Sequence, residues 1–286
     1  MRYLRRLNYS PETISAYTKD LKRFKAYLVA EYGGNILTSQ IQREDILDYL
    51  QMLQDEGLKP NSLARNLSTL KSFFKFLVHE LNFPNDVATR IKHAKFHTPL
   101  PIILDEEEME RLLDIAKTYS PFYFALFSLL YYTGSRLTPV RTIMREHIDL
   151  RNRKIYFEKV KNGRDLYLPL GDDIFDILNQ FMLDTKHLQY KYLFNSPKLM
   201  NNPISAADVR VNLKKICALA DINKRVTPHT IRHCTATHLT LKGVGQKYIS
   251  EILGHTDLRS TARYQQLNVE DLRASINELS FHNGEQ

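Results

Sequence analysis

The segment Thr227-Pro228-His229-Thr230-Ile231-Arg232-His233 gathers side chains able to do chemistry. Thr227 suits the N-cap of a helix and Pro228 its first position. His229 and Arg232 then fall three apart, on one face of the first turn. Free N–H groups and the helix dipole favour an anion at that end. A guanidinium beside an imidazole there suits a phosphate. The same segment also reads as an ordinary polar helix start. His229 and His233 stand four apart, the spacing of a zinc helix. The acid that follows the first histidine of a zinc-protease motif is missing, and no Cys or His cluster supplies a third ligand. No metal is expected.

Three further strings join this one. Thr133-Gly134-Ser135-Arg136 ends an apolar run, and Lys161 lies in a Lys161-Asn162-Gly163-Arg164 turn. Leu253-Gly254-His255 is followed nine residues later by Tyr264, within Ser260-Thr261-Ala262-Arg263-Tyr264. The order Arg136, Lys161, His229-x-x-Arg232, His255, Tyr264 resembles the tyrosine recombinase family of phage integrases and chromosome-dimer resolvases. The resemblance covers the whole chain, because family members commonly place a helical core-binding domain before the catalytic one. It implies a site-specific recombinase that cleaves and rejoins DNA through a 3′-phosphotyrosine and exchanges strands through a Holliday junction. It further implies double-stranded DNA with a specific core site, and a homotetramer on that DNA or an assembly with a paralogous subunit. No cofactor is implied, since the phosphotyrosine stores the energy of the broken strand.

Side-chain properties make sense of the implied roles. Arg136 and Arg232 would grip the nonbridging oxygens with forks that stay charged at cellular pH. Tyr264 would attack phosphorus. A tyrosine hydroxyl has an ordinary pKa of about 10, so His229 is the candidate general base or hydrogen-bond partner. His255 would donate to a nonbridging oxygen. Lys161 is the candidate general acid for the leaving 5′-oxygen, with Lys159 on the preceding strand as runner-up. Three departures from the family pattern stand out. Pro139 replaces the usual acid three positions after the first arginine, KNGR replaces the usual glycine-lysine-glycine turn, and Gln265-Gln266 follow the tyrosine. None removes a group that would touch the phosphate. A non-catalytic DNA-binding relative and a type IB topoisomerase are the alternatives.

The elements that must carry these residues are mainly helical. Ser10-Pro11 opens a helix with Ile14, Tyr17, Leu21, Phe24 and Leu28 on one stripe, stopped by Gly33-Gly34. Arg43 to Gln54 predicts a second, with Ile46, Leu47, Leu50 and Leu53 inward. A third starts near Pro60 and carries Leu63, Leu67, Leu70, Phe74 and Leu77, and a short fourth is expected over Asp86 to His93. Residues 94–104 hold Pro99 and Pro101 and read as an extended linker. Beyond it come helices at Asp105 to Ala116 and Phe122 to Tyr132, then alternating runs at Lys154 to Val160 and Asp165 to Leu170 that predict a hairpin. Helices follow at Asp173 to Met182, Ala206 to Ala220, Pro228 to Lys242, Gln246 to Leu253 and Asp257 to Gln266. Val269 to Leu279 reads either as a docking helix for a neighbouring subunit or as packing on its own domain. The expected fold is mainly α with a small antiparallel β-hairpin: a two-domain clamp with a helical DNA-binding domain at 1–93, the linker, and a catalytic domain at 105–286.

Composition fits such a chain. Of 286 residues 43% are hydrophobic and 25% charged, which excludes long disorder. No apolar run reaches the roughly 18 residues of a spanning helix, and no secretory signal is read at the N-terminus. Two cysteines, Cys217 and Cys234, build no disulfide framework. A prokaryotic cytoplasm, with the chain on the nucleoid, is the expected location. The net charge of +8 favours a polyanionic partner. Residues 1–100 hold 15 Lys+Arg against 10 Asp+Glu, a denser excess than in the remainder. Lys22, Arg23, Arg65, Lys71 and Lys75 are the expected DNA contacts. No arm-binding domain is expected before residue 10, which favours a simple recombinase over a large phage integrase.

Overall fold

A computed structural model describes residues 2–93, 102–160, 164–254, 273 and 276–279. The chain divides into two compact units, Met1–Pro99 and Leu100–Gln286.

The first unit is a helical bundle of α1 (Arg2–Arg6), α2 (Pro11–Glu31), α3 (Arg43–Asp55) and α4 (Pro60–Leu81). Ser10 caps α2 as its spacing predicts, its Oγ accepting from Thr13 N at 3.2 Å. Phe24, Leu28, Ile46, Tyr49, Leu53, Leu67, Leu70 and Phe74 form the core. Two expectations fail here. Leu47 is exposed and Tyr49 is fully buried in its place. The stripe through Ile46, Leu50 and Leu53 has spacings 4 and 3, so the inward position beside them is 49. Residues 86–93 form turns and no helix. Asp86 Oδ1 accepts from the main-chain N–H of Ala88 (3.1 Å) and Thr89 (2.9 Å), an alternative to helical bonding that short acidic side chains favour. Ala88 and Ile91 are thereby pressed into the bundle core.

The second unit is built around α6 (Pro121–Thr133), in which nine residues are buried. It is flanked by α5 (Glu106–Tyr119), α8 (Asp172–Asp184) and α10 (Pro228–Leu241). The short α7 (Leu137–Arg141) follows α6, and α9 (Ala206–Leu219) and α11 (Gln246–Ile252) lie further along the chain. The sheet is antiparallel, in the order β1 (Ile148–Asp149), β2 (Lys154–Val160), β3 (Arg164–Pro169). α1, α7 and β1 escape the sequence reading because each spans five residues or fewer, too short for periodicity to show.

Leu104, the last residue of the segment read as linker, is fully buried in this unit. Its N–H donates to Cys234 Sγ at 3.2 Å and its carbonyl accepts from His238 Nε2 at 2.9 Å. The segment Asp257 to Gln266 lies outside the described residues, as does most of Val269 to Leu279. Of the latter, Ile276 and Leu279 are buried in the core of their own unit. Asn277 supplies the cap that Gly171, lacking a side chain, cannot give α8. Its Oδ1 accepts from Asp172 N at 2.9 Å and its Nδ2 donates to Asp172 Oδ2 at 3.0 Å. A Cβ on Gly171 would stand 2.5 Å from Asn277 Oδ1, so this docking requires glycine there.

Candidate active site

α10 starts as its sequence predicts. Thr227 Oγ1 accepts from Thr230 N, and Thr230 Oγ1 accepts from Thr227 N, each at 3.1 Å. This reciprocal cap fixes the first turn and with it His229 and Arg232.

α10 is bonded to the C-terminal end of α6. Arg232 Nη1 donates to Gly134 O at 2.6 Å, Thr235 Oγ1 to Tyr131 O at 2.7 Å, and His238 Nδ1 lies 2.9 Å from the Tyr131 hydroxyl. A carbonyl only accepts, so the His238 Nε2 facing Leu104 carries the proton and Nδ1 accepts from Tyr131. Burial lowers the His238 pKa and keeps the ring neutral. Positions 232, 235 and 238 thus share one face and set the register of α10 on the end of α6. These supporting residues are missing from the sequence reading. Their signal is the three-residue spacing that continues from Arg232.

Gly134 is the hinge of this arrangement. It takes a left-handed conformation, φ +54°, at the C-cap of α6. A Cβ there would meet Leu253 Cδ2 at 2.4 Å and Thr235 Cγ2 at 3.1 Å. Gly134→Ala is expected to destabilise the protein by about 1–3 kcal/mol through overpacking and strain. Thermal melting checks this. DNA cleavage should fall further than the stability loss explains, because the acceptor of Arg232 moves.

Arg136 is the N-cap of α7, two residues past the carbonyl that holds Arg232. Its charge lowers the pKa of both Arg232 and His229, so the three groups share one electrostatic site. Arg232 is 4% exposed, and burial together with Arg136 pushes its pKa down to about 10, still charged at neutral pH. The pKa of His229 is lowered by burial, then by His233, Arg232 and Arg136. The His229 and His233 rings meet edge to face, centroids 4.4 Å apart.

No carboxylate pairs with these cations among the described residues. Among the described residues, neither Arg136 nor Arg232 makes an ion pair, and the buried Arg232 Nη2 has no hydrogen-bond partner. Pro139, at the position of the missing acid, is the third residue of α7, where an N–H would have no intrahelical acceptor. The backing of Arg232 comes from the Gly134 carbonyl instead. Two buried or half-buried guanidinium groups, with one donor edge unused and no ion-pair partner among the described residues, are suited to hold an anion.

The structure therefore brings Arg136, His229 and Arg232 together. Lys161, His255 and Tyr264 lie outside the described residues. β2 and β3 close to the Val160–Arg164 pair on either side of Lys161, and Leu253-Gly254 leads up to His255, with Leu253 packed over Gly134. Of the expected DNA contacts in the first unit, Lys22 and Lys75 are exposed and Lys71 is half-buried, and none is ion-paired among the described residues. Arg23 pairs with Glu56 and Arg65 with Asp20. No helix of the described residues is long and apolar enough to cross a membrane.

Comparison with known proteins agrees with this geometry. Residues 103–271 match the phage integrase family, and residues 1–81 match the phage integrase N-terminal SAM-like domain. The chain belongs to the phage integrase family of tyrosine recombinases, enzymes that cleave and religate DNA. Among its relatives is the tyrosine recombinase XerD of Staphylococcus haemolyticus, 32% identical over 281 residues that cover 96% of this chain and 93% of the relative. XerD of Listeria innocua is 29% identical over 283 residues, covering 96% and 93%. In fold the chain is similar to a lambda integrase (residues 75–356) dimer bound to a COC′ core site. That match has TM-score 0.71, 19% identity, and covers 94% of this chain and 96% of the other. It is also similar to the XerH recombinase in a post-cleavage complex with palindromic difH, with TM-score 0.72, 18% identity, and coverage of 87% and 74%.

Proposed function

We propose that this recombinase exchanges strands at a specific core site through a phosphotyrosine on Tyr264. The observation that carries the site assignment is the pair Arg136 and Arg232, without an ion-pair partner among the described residues and with Arg232 Nη2 buried and unpartnered there. The arginines hold the scissile phosphate and neutralise the charge that grows as Tyr264 Oη attacks phosphorus. His229, neutral at pH 7, takes the tyrosine proton. His255 donates to a nonbridging oxygen. Lys161 protonates the departing 5′-oxygen, leaving DNA joined to Tyr264 through its 3′-phosphate. A 5′-hydroxyl from another duplex then attacks that phosphate and releases the tyrosine. A second exchange resolves the four-way junction, within a homotetramer on the DNA, in the cytoplasm.

A nicked duplex carrying the chain's own recognition sequence tests this reading. Loss of the short leaving strand should trap a covalent protein–DNA adduct. Specific binding without any adduct would instead make the chain a non-catalytic DNA-binding relative.

The lowered His229 pKa gives a pH prediction. The base works only when neutral, so single-turnover cleavage should fall as pH drops through a midpoint below the ordinary histidine value of about 6.5. His229→Gln should be slow throughout and lack that midpoint. In the first unit, Lys22, Lys71 and Lys75, which make no ion pair among the described residues, would carry phosphate contacts. Lys71→Glu should weaken binding to any duplex and reduce the slope of log affinity against log salt by about 1. An unchanged slope would refute the placement of Lys71 on DNA.

A further inference from the structure

Asp20 is a carboxylate buried inside the helical bundle of the first unit, at 6% exposure. Its Oδ2 accepts from Arg65 Nη1 and from Thr69 Oγ1, the latter at 2.9 Å. Arg65 and Thr69 stand one turn apart on α4, and Thr69 Oγ1 also reaches Arg65 O at 3.1 Å. The guanidinium itself is not buried: the Arg65 side chain is 42% exposed against 7% for Asp20. Only Nη1 is engaged, and the other donors of the fork have no partner among the described residues. The exposed edge opens with Lys19 onto a cleft lined also by Pro11, Glu12, Ser15 and Ala16.

A desolvated carboxylate is a poor source of stability, since the cost of removing it from water offsets most of the attraction to its partner. What this arrangement does supply is direction. A long, many-rotamer side chain is held at one end while its remaining N–H groups face solvent. We propose that Asp20 is a positioning residue that fixes the Arg65 guanidinium for a DNA phosphate. The proposal rests on the reading of the first unit as a DNA-binding bundle.

The sign of one substitution tests it. Asp20→Asn removes a negative charge, so simple electrostatics makes binding of DNA tighter. Release of Arg65 makes it weaker. Full-length protein would be titrated with a fluorescent mixed-sequence duplex, with thermal melting to confirm folding. Asp20→Asn should bind about 2- to 12-fold more weakly, the range set by immobilising one rotamer-rich side chain on binding. In an Arg65→Ala background, itself weaker than the parent, the same change should cause no further loss. A folded Asp20→Asn protein that binds as tightly as the parent, or an equal loss in both backgrounds, overturns the positioning role. Arg65→Ala binding like the parent would show instead that this arginine meets no DNA. If Asp20→Asn does not fold, Thr69→Val keeps every charge, removes the second donor to Asp20, and should weaken binding in the same direction. Unchanged binding by Thr69→Val then overturns the proposal.

Discussion

Arg232→Ala is expected to lower the single-turnover rate of DNA cleavage by about 10²- to 10³-fold, with duplex binding nearly unchanged. That is the range for deleting one preorganised donor from a site where charge develops. The geometry makes the effect kinetic. Arg232 is buried, one donor is fixed on Gly134 O, and Nη2 has no partner among the described residues. Its contribution is therefore greatest when the phosphorane charge appears. Arg232→Lys should recover little, because an ammonium cannot bond the carbonyl and a phosphate oxygen in the same fork geometry. Rapid-quench cleavage assays alongside equilibrium binding check both variants. A rate within threefold of the parent for Arg232→Lys would show that charge alone suffices.

The second large effect is at the nucleophile. Tyr264→Phe should form no detectable covalent adduct on the nicked substrate while binding the same duplex with parental affinity. The substitution removes one oxygen and leaves every cation in place, so binding and chemistry separate cleanly. An adduct in parental yield would sink the assignment of Tyr264. His255 and Lys161 follow the same logic with smaller losses, since each assists a step that Tyr264 performs.

In the second unit the sequence made the ends of two helices legible through local chemistry. Thr227-Pro228 marked the start of α10, Gly134 the end of α6, and the three-residue step from His229 to Arg232 their common face. Those signals are carried by residues close together in the chain. What tertiary packing decides was not legible. Nothing local told that Arg232 would hang from Gly134 O, nearly a hundred positions away, or that His238 would be locked neutral between Tyr131 and Leu104. The same limit explains Arg65. Its charge pointed to DNA, but the buried Asp20 beside it belongs to another helix. The helix expected at residues 86–93 failed for the opposite reason, because one local competitor, Asp86, captured the main chain.

The cap that Asn277 places on α8 bears on synthesis. Ile276 and Leu279 are buried in the core of the second unit, and Asn277 between them caps a helix that begins at Asp172. Chains are made from the N-terminus and their domains fold as they emerge. The first bundle can close on the ribosome once Ile91 is out, whereas the second unit stays unfinished until Ile276, Asn277 and Leu279 have been made. A nascent chain would thus complete its first unit well before its second.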